Sequence, residues 1–218
     1  MQRIEGNMNF PVFVTKHQDR EVLAIDTGLS PTAFAQSKMG SLLSEYGAIV
    51  WPNGNIEAWV PEGTLEIDGH IAIYGPVFTG KSLVEMLAGE KPDISLAYQF
   101  SLSWLKCQNI LQKADRPYRL SPSPYAAMLA EDASLLLLPE QSFRRAIQSR
   151  NTELAYIDAW THPELKGEEA PVFTAAILLY SLLTGRAPWS AENAEQIRSR
   201  MRETAAMPTV LAHPGIQE

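Results

Sequence analysis

The sequence is poor in the residues that build disulfide bonds and metal sites. Only one of its 218 residues is cysteine and four are histidine. The cysteine belongs to an apolar series spaced by three or four residues, as one helix face requires: Leu96, Phe100, Trp104, Cys107 and Leu111. We therefore interpret Cys107 as a buried core thiol rather than a nucleophile. A single cysteine excludes a disulfide framework, and the scattered histidines predict no metal centre.

Long apolar runs and an excess of positive charge are also lacking. No stretch of about 18 residues is free of polar interruption, so no membrane segment is expected. Residues 1–9 lack the basic and then apolar layout of a signal peptide, which predicts a cytoplasmic chain. The net charge of −7 and the calculated pI of about 5.2 argue against a nucleic-acid partner.

The remaining composition is that of a globular protein, with 45% hydrophobic and 20% charged residues. Strands are predicted in the first third at 10–15, 21–25, 48–51, 56–60 and 71–74. A helix is predicted over 30–46, with Ser30 as its N-cap and Gly47 in the left-handed conformation that ends helices. The turn Pro52-Asn53-Gly54 predicts a hairpin between two of the strands.

Helices dominate the rest of the chain. They are predicted over 83–87, 93–113 and 172–184, and over a surface helix that begins at Ser190. Asp93 caps the second of these helices, and Gly185 ends the third. The surface helix carries Arg198, Arg200 and Arg202, which we interpret as a solvated face. A hairpin is predicted from 125–129 and 134–138, followed by an irregular polar stretch up to 171.

One segment carries a specific pattern. Residues 178–189 read Leu-Leu-Tyr-x-Leu-Leu-Thr-Gly-Arg-x-Pro-Trp, and His162-Pro-Glu164-Leu lies upstream of them. Together they resemble the central helix and the Ala-Pro-Glu region of the large lobe of eukaryotic-type protein kinases. The likeness covers most of residues 70–215 and is thin before residue 70. Glu164 is interpreted as a structural ion-pair residue whose usual arginine partner would lie beyond residue 218.

The resemblance implies a fold class and a division of the chain. It implies an α+β, bilobal protein kinase-like fold with a small, reduced β-rich lobe over residues 1–74. A hinge follows over 75–82, and a mainly helical lobe over 83–218 lacks the last helices of the family.

The resemblance also implies that catalysis is lost, because the groups that phosphoryl transfer requires are replaced. Ser121 falls where an aspartate accepts the substrate's proton. Ala127 and Pro139 fall where an asparagine and the aspartate of Asp-Phe-Gly hold magnesium. Asp26 falls where a lysine contacts ATP. Asp132 and Glu140 are the nearest carboxylates that could serve a residual metal site, so an atypical active kinase stays open.

The implied function is therefore that of a pseudokinase, a protein-binding scaffold or regulatory module without phosphotransfer. It implies a protein partner, no cofactor and no ATP binding.

A competing motif predicts a different class of protein. Gly75-Pro-Val-Phe-Thr-Gly80-Lys81-Ser82 matches the Walker A spacing, follows an apolar strand and precedes a helix. In a true phosphate-binding loop the backbone amides would cradle phosphates, Lys81 would reach the terminal ones and Ser82 would bind magnesium. A P-loop enzyme also needs alternating strands and helices, and this chain lacks them. The sequence thus favours the kinase resemblance and keeps a P-loop nucleotide-binding enzyme as the alternative.

Overall fold

The computed structural model describes residues 3–5, 10–37, 39–87, 93–113, 124–148, 160–185, 187–189 and 193–206. Its strands are β1 Arg3–Glu5, β2 Val12–His17, β3 Arg20–Leu29, β4 Gly47–Val50, β5 Ile56–Trp59, β6 Gly63–Ile67, β7 His70–Pro76, β8 Lys81–Ser82, β9 Ala127–Leu129 and β10 Leu135–Leu137. Its α-helices are α1 Pro31–Gln36, α2 Leu83–Leu87, α3 Ile94–Gln112, α4 Glu140–Gln148, α5 Glu169–Thr184 and α6 Ala194–Glu203. The predicted α+β class is confirmed, whereas the bilobal kinase-like arrangement stays a prediction.

The first sheet has the strand order β1-β2-β3-β7-β6, and its neighbouring strands are antiparallel. Strands β2, β3 and β7 confirm the predicted strands. β3 and β7 extend further at both ends, and β2 is displaced by two residues, from 10–15 to Val12–His17. Strand β6 was not predicted, although its turn carries a clear signal. Asp68 and Gly69 both have positive φ angles, of 51° and 80°, as a tight hairpin turn demands.

The second sheet has the order β5-β4-β10-β9-β8 and is also antiparallel. Both predicted hairpins are confirmed here, the first joining β4 to β5 and the second joining β9 to β10. Gly54 has a φ of 89° in the first turn. Strands from both sides of the predicted hinge at 75–82 share this sheet, with β10 at its centre.

The predicted helix over 30–46 is wrong in its length and its end. Ser30 does cap α1, accepting a hydrogen bond from the Ala33 backbone N–H. The helix nevertheless stops at Gln36, and a 3-10 helix follows over Met39–Ser44. Gly47 opens β4 instead of ending a helix. A Cβ there would lie 2.6 Å from the carbonyl oxygen of Leu137, so the glycine permits close approach of β10.

Two helix predictions after residue 138 also need correction. The stretch expected to be irregular contains α4, whose polar sequence hides a single apolar face formed by Phe143 and Ala146. The surface helix begins at Ala194, and the side chain of Asn193 accepts the N-capping hydrogen bond from the Gln196 backbone. Ser190, the predicted cap, lies outside the described residues.

The remaining helix predictions are confirmed, except that α5 begins at Glu169, three residues before its predicted start. Asp93 caps α3 by accepting a hydrogen bond from the Leu96 backbone N–H over 3.0 Å. Gly185 ends α5 with a φ of 70°. Helices α3 and α5 pack against each other in one core, in which Trp104 and Leu178 are buried. Within the described part of the chain, the helices fall short of the length and apolar character that crossing a bilayer requires.

Candidate functional site

The segment that matches Walker A crosses from one sheet to the other. Gly75 and Pro76 end β7 and pair with Leu23 and Val22 of β3. Lys81 and Ser82 form β8, which pairs with β9 in the second sheet. The first and last residues of the motif are thus held in extended strands rather than in one loop around a helix N-terminus.

Close packing accounts for both glycines of this segment. A Cβ on Gly75 would lie 2.7 Å from the indole of Trp59, whose Nε1 donates to the Pro76 carbonyl over 2.8 Å. A Cβ on Gly80 would lie 2.8 Å from the carbonyl oxygen of Leu129. Contacts shorter than 3.0 Å are essentially never made by real Cβ atoms. Glycine is therefore required at both positions, because neighbouring segments of the chain pack too closely to leave room for a side chain.

The hydroxyl of Ser82 is engaged by its own helix. Ser82 is fully buried, and its hydroxyl and backbone N–H donate to Glu85 Oε2 over 2.8 and 2.7 Å. The Glu85 backbone N–H donates back to Ser82 Oγ over 3.2 Å. This reciprocal pair is a capping box, in which a Ser and a Glu three residues later satisfy the first turn of a helix. The carboxylate occupies the place at the start of α2 where a phosphate would bind in a P-loop.

Lys81 lines a cavity of about 260 Å³ between the starts of α2 and α3 and the end of α5. Glu85 and Asp93 line the same cavity, and its other walls are apolar: Met86, Leu96, Ala97 and Leu182. One ammonium therefore shares the cavity with two carboxylates. The phosphates of a nucleotide bind where positive charge is concentrated, and this cavity carries more carboxylates than ammonium groups.

Two of the positions implied by the kinase resemblance meet at one end of the β9–β10 hairpin. Ala127 pairs with Leu137, and the Leu138 backbone N–H donates to the Ala126 carbonyl over 2.9 Å. Both Ala127 and Pro139 are buried. Neither side chain carries a donor or a metal-binding oxygen. Ser121, the third position, lies outside the described residues.

Asp26 lies in the first sheet, where the pairing of β3 with β7 shifts register between residues 26 and 29. Its side chain is buried, at 7% exposure. Asp26 Oδ1 accepts a hydrogen bond from the Gly28 backbone N–H over 2.8 Å and lies 3.6 Å from His70 Nδ1. The carboxylate thus holds an irregular stretch of strand in place.

Helix α4 fills the space between the first sheet and the β9–β10 hairpin. Phe143 and Ala146 are buried at 1% and 0% exposure in a core that also receives Leu23 and Ile25 from β3. Leu136 and Leu138 enter the same core from the side of the second sheet. The rings of Phe143 and Phe10 lie 5.9 Å apart between their centroids. This region of the molecule is occupied by the protein's own side chains.

The two carboxylates considered for a residual metal site stand at opposite ends of β10. Asp132 accepts hydrogen bonds from the hydroxyl and backbone N–H of Ser134, which lower the pKa of Asp132. Glu140 accepts from Arg144 one helical turn later, over 3.3 Å. Among the residues that the structure describes, no three His, Cys, Asp or Glu side chains are grouped to hold a metal ion.

Glu164 forms the structural ion pair expected of it, but with a different partner. The Nε of Arg202 in α6 lies 3.0 Å from Glu164 Oε1. One of the three arginines assigned to a solvated face is therefore used to tie α6 to the segment before α5. The sequence alone could not give this pair, because the two residues are far apart in the chain.

Comparison with known proteins leaves the family open. No protein-family model matches this chain, and no curated protein matches it either.

Proposed function

We propose that this chain is a catalytically inactive domain related to the protein kinases, which acts by binding proteins rather than by transferring phosphate. The observation that carries the proposal is the filled region between the first sheet and the β9–β10 hairpin. Phe143 and Ala146 of α4 are buried there together with side chains from both sheets. In the bilobal arrangement that the resemblance implies, a nucleotide would bind in the cleft between the small lobe and this hairpin. It would have to displace the packed core there, at a cost of several kcal/mol, as large buried side chains cost when they are removed.

The chemistry of the aligned positions also supports the proposal. Phosphoryl transfer needs a positioned cation and metal-binding oxygens around the phosphates. Ala127 and Pro139 supply neither, and the buried Asp26 would repel a phosphate rather than attract it. A domain without these groups can still bind another protein through its surface, which favours a role in protein recognition.

Thermal unfolding in the presence of ATP or GTP, each with and without magnesium, tests the proposal. A ligand that binds only the folded state stabilises it by about 2.7 kcal/mol at a hundred times its dissociation constant. That is a rise of several degrees in the midpoint for a chain of this size. We expect no rise at millimolar nucleotide and no incorporation of labelled phosphate into the chain or into a general kinase substrate.

The same titration separates the alternatives. A magnesium-dependent rise that Lys81→Ala removes would favour the P-loop enzyme, with Lys106→Ala as the matched control. A rise that Lys81→Ala leaves intact would point instead to a residual nucleotide site of the kinase type. Autophosphorylation that Glu140→Gln abolishes would favour an atypical active kinase.

A further inference from the structure

The cavity between the starts of α2 and α3 and the end of α5 combines apolar walls with charged groups of both signs. Ala97 and Leu182 belong to the walls and are buried at 1% and 7% exposure. The charged lining residues are Lys81, Glu85 and Asp93, of which the lysine and the aspartate are exposed. Small-molecule sites in proteins have this composition, with mostly apolar walls and a few convergent polar groups. The cavity is therefore suited to a small amphipathic molecule.

Each carboxylate of the cavity uses one oxygen within the protein. Glu85 Oε2 accepts both hydrogen bonds from Ser82, and Asp93 Oδ1 accepts the N-capping hydrogen bond from Leu96. Within the described part of the chain, Glu85 Oε1, Asp93 Oδ2 and the Lys81 ammonium take part in no hydrogen bond or ion pair. Two carboxylate oxygens and one ammonium thus remain to pair with a ligand.

We propose that this cavity binds a free apolar α-amino acid of the size of leucine or methionine. The ammonium of the amino acid pairs with Glu85 and Asp93, and its carboxylate pairs with Lys81. Its side chain packs against the apolar walls. A zwitterion supplies both signs of charge that the lining residues require. A ligand with a single charge leaves either the lysine or the two carboxylates without a partner.

The volume of the cavity fits this ligand. A cavity of about 260 Å³ has room for roughly nine water molecules at about 30 Å³ each. An apolar amino acid has about as many non-hydrogen atoms, whereas a nucleotide is several times larger. Because a ligand with so few atoms makes few contacts, we expect a dissociation constant between about 10 μM and 10 mM.

The inference goes beyond the proposed function and does not depend on it. The walls of the cavity belong to the core that α3 and α5 share, whereas Phe143 of α4 belongs to a separate core. A bound amino acid would contact α2, α3 and α5 at once, so it would stabilise the folded chain.

Isothermal titration calorimetry of the full chain with L-leucine and with L-methionine tests the inference. We expect saturable binding of one molecule per chain. Two analogues of leucine separate the two charges, since isoamylamine lacks the carboxylate and isocaproate lacks the ammonium. Each analogue should bind at least about tenfold more weakly than L-leucine, because each loses its charge-assisted hydrogen bonds. Glycine has the same two charges without the apolar side chain and should show no binding.

Three variants assign each charge of the ligand to its partner. Lys81→Gln should weaken the binding of L-leucine about threefold to tenfold and should not weaken that of isoamylamine, which has no carboxylate. Glu85→Gln and Asp93→Asn should each weaken L-leucine and isoamylamine by a similar factor and should not weaken isocaproate. Glutamine and asparagine both keep the capping hydrogen bonds of α2 and α3, so these variants remove only charge.

Lys106→Gln is the matched control, because it removes an exposed ammonium of α3 outside the cavity and should change none of these affinities. Far-ultraviolet circular dichroism confirms that each variant is folded.

Three results would overturn the inference. They are the absence of binding of L-leucine and L-methionine at millimolar concentration, analogues that bind as tightly as L-leucine, and a loss in Lys81→Gln that is equal for L-leucine and isoamylamine. The proposed function is tested separately by nucleotide titration and phosphate transfer. Either conclusion can therefore fail while the other stands.

Discussion

Ser82 and Glu85 cap each other at the start of α2, with the Ser82 hydroxyl donating to Glu85 Oε2 over 2.8 Å and the Glu85 N–H donating back over 3.2 Å. The sequence Gly80-Lys81-Ser82 thus has two readings, one as the end of a phosphate loop and one as the start of a capped helix. The hydrogen bonds support the second interpretation. The Ser82 hydroxyl would bind magnesium and the Ser82 N–H would bind phosphate in a P-loop, but here both donate to Glu85 Oε2.

Ser82→Ala should destabilise the folded chain by about 1 kcal/mol, because it removes the side-chain half of the capping box. Urea unfolding followed by circular dichroism measures this change. Ser95→Ala, at an exposed position in the first turn of α3, is the matched control and should stay within about 0.5 kcal/mol of the parent. An effect of Ser82→Ala as small as that of the control would contradict the cap.

Gly75→Ala should destabilise the fold by roughly 2 kcal/mol or more, because the added methyl group would lie 2.7 Å from the Trp59 indole and 2.9 Å from the Val60 carbonyl oxygen. Gly69→Ala is the comparison. Its methyl group meets nothing within 4 Å, so only the positive φ of 80° opposes it, at about 1 kcal/mol. Equal losses in the two variants would show that close packing does not require Gly75.

Phe143→Ala should cost about 3–5 kcal/mol, since it leaves a cavity in the core between the two sheets. Gln141→Ala lies on the exposed side of the same helix and should change the free energy of unfolding by less than about 0.5 kcal/mol. The cavity should not create nucleotide binding, because the described side chains that pack in this core are apolar. A loss of less than about 1 kcal/mol in the free energy of unfolding of Phe143→Ala would mean that α4 does not fill this core.

The buried thiol of Cys107 predicts a loss of stability in alkali. Burial raises the pKa of Cys107 from 9.0 to about 12. Above pH 9 the unfolded chain releases the thiol proton while the folded chain keeps it, so this contribution is intact below pH 9 and is lost as the pH rises toward 12. The slope is at most about 1.4 kcal/mol per pH unit.

Urea unfolding at pH 8 and about pH 10.5 checks the thiol prediction. The parent should lose more stability between these pH values than Cys107→Ala, which carries every other titrating group. In the native parent, a thiol-specific reagent at pH 8 should react only as fast as the chain unfolds. Rapid modification of the folded protein would contradict the assignment of Cys107 to the core.

Several features of the fold follow from local sequence, because the signals that decide them act over a few residues. Ser30, Asp93 and Gly185 fix helix ends through hydrogen bonds or a backbone angle within one turn. Asp68-Gly69 is a signal of the same kind, and it marks the turn between β6 and β7. The hairpin joining β9 and β10 was equally visible as two apolar runs around a polar turn.

Features that depend on distant contacts were not visible in the same way. The role of α4 depends on a core assembled from both sheets, and its own sequence is mostly polar. Gly47, Gly75 and Gly80 look like residues of turns or of a phosphate loop, and only the neighbours that approach them show why a side chain is excluded.

The amino-acid sequence by itself determined the mixed α+β class, the starts of α1 and α3, the end of α5 and the burial of Cys107, since each depends on spacing or on chemistry within a short segment. Only the tertiary structure decided that Ser82 caps a helix, that Arg202 pairs with Glu164, and that α4 fills the region between the sheets. The reason is physical. A motif of residue types states which atoms are present, whereas the contacts made on folding decide which of them remain available to a ligand.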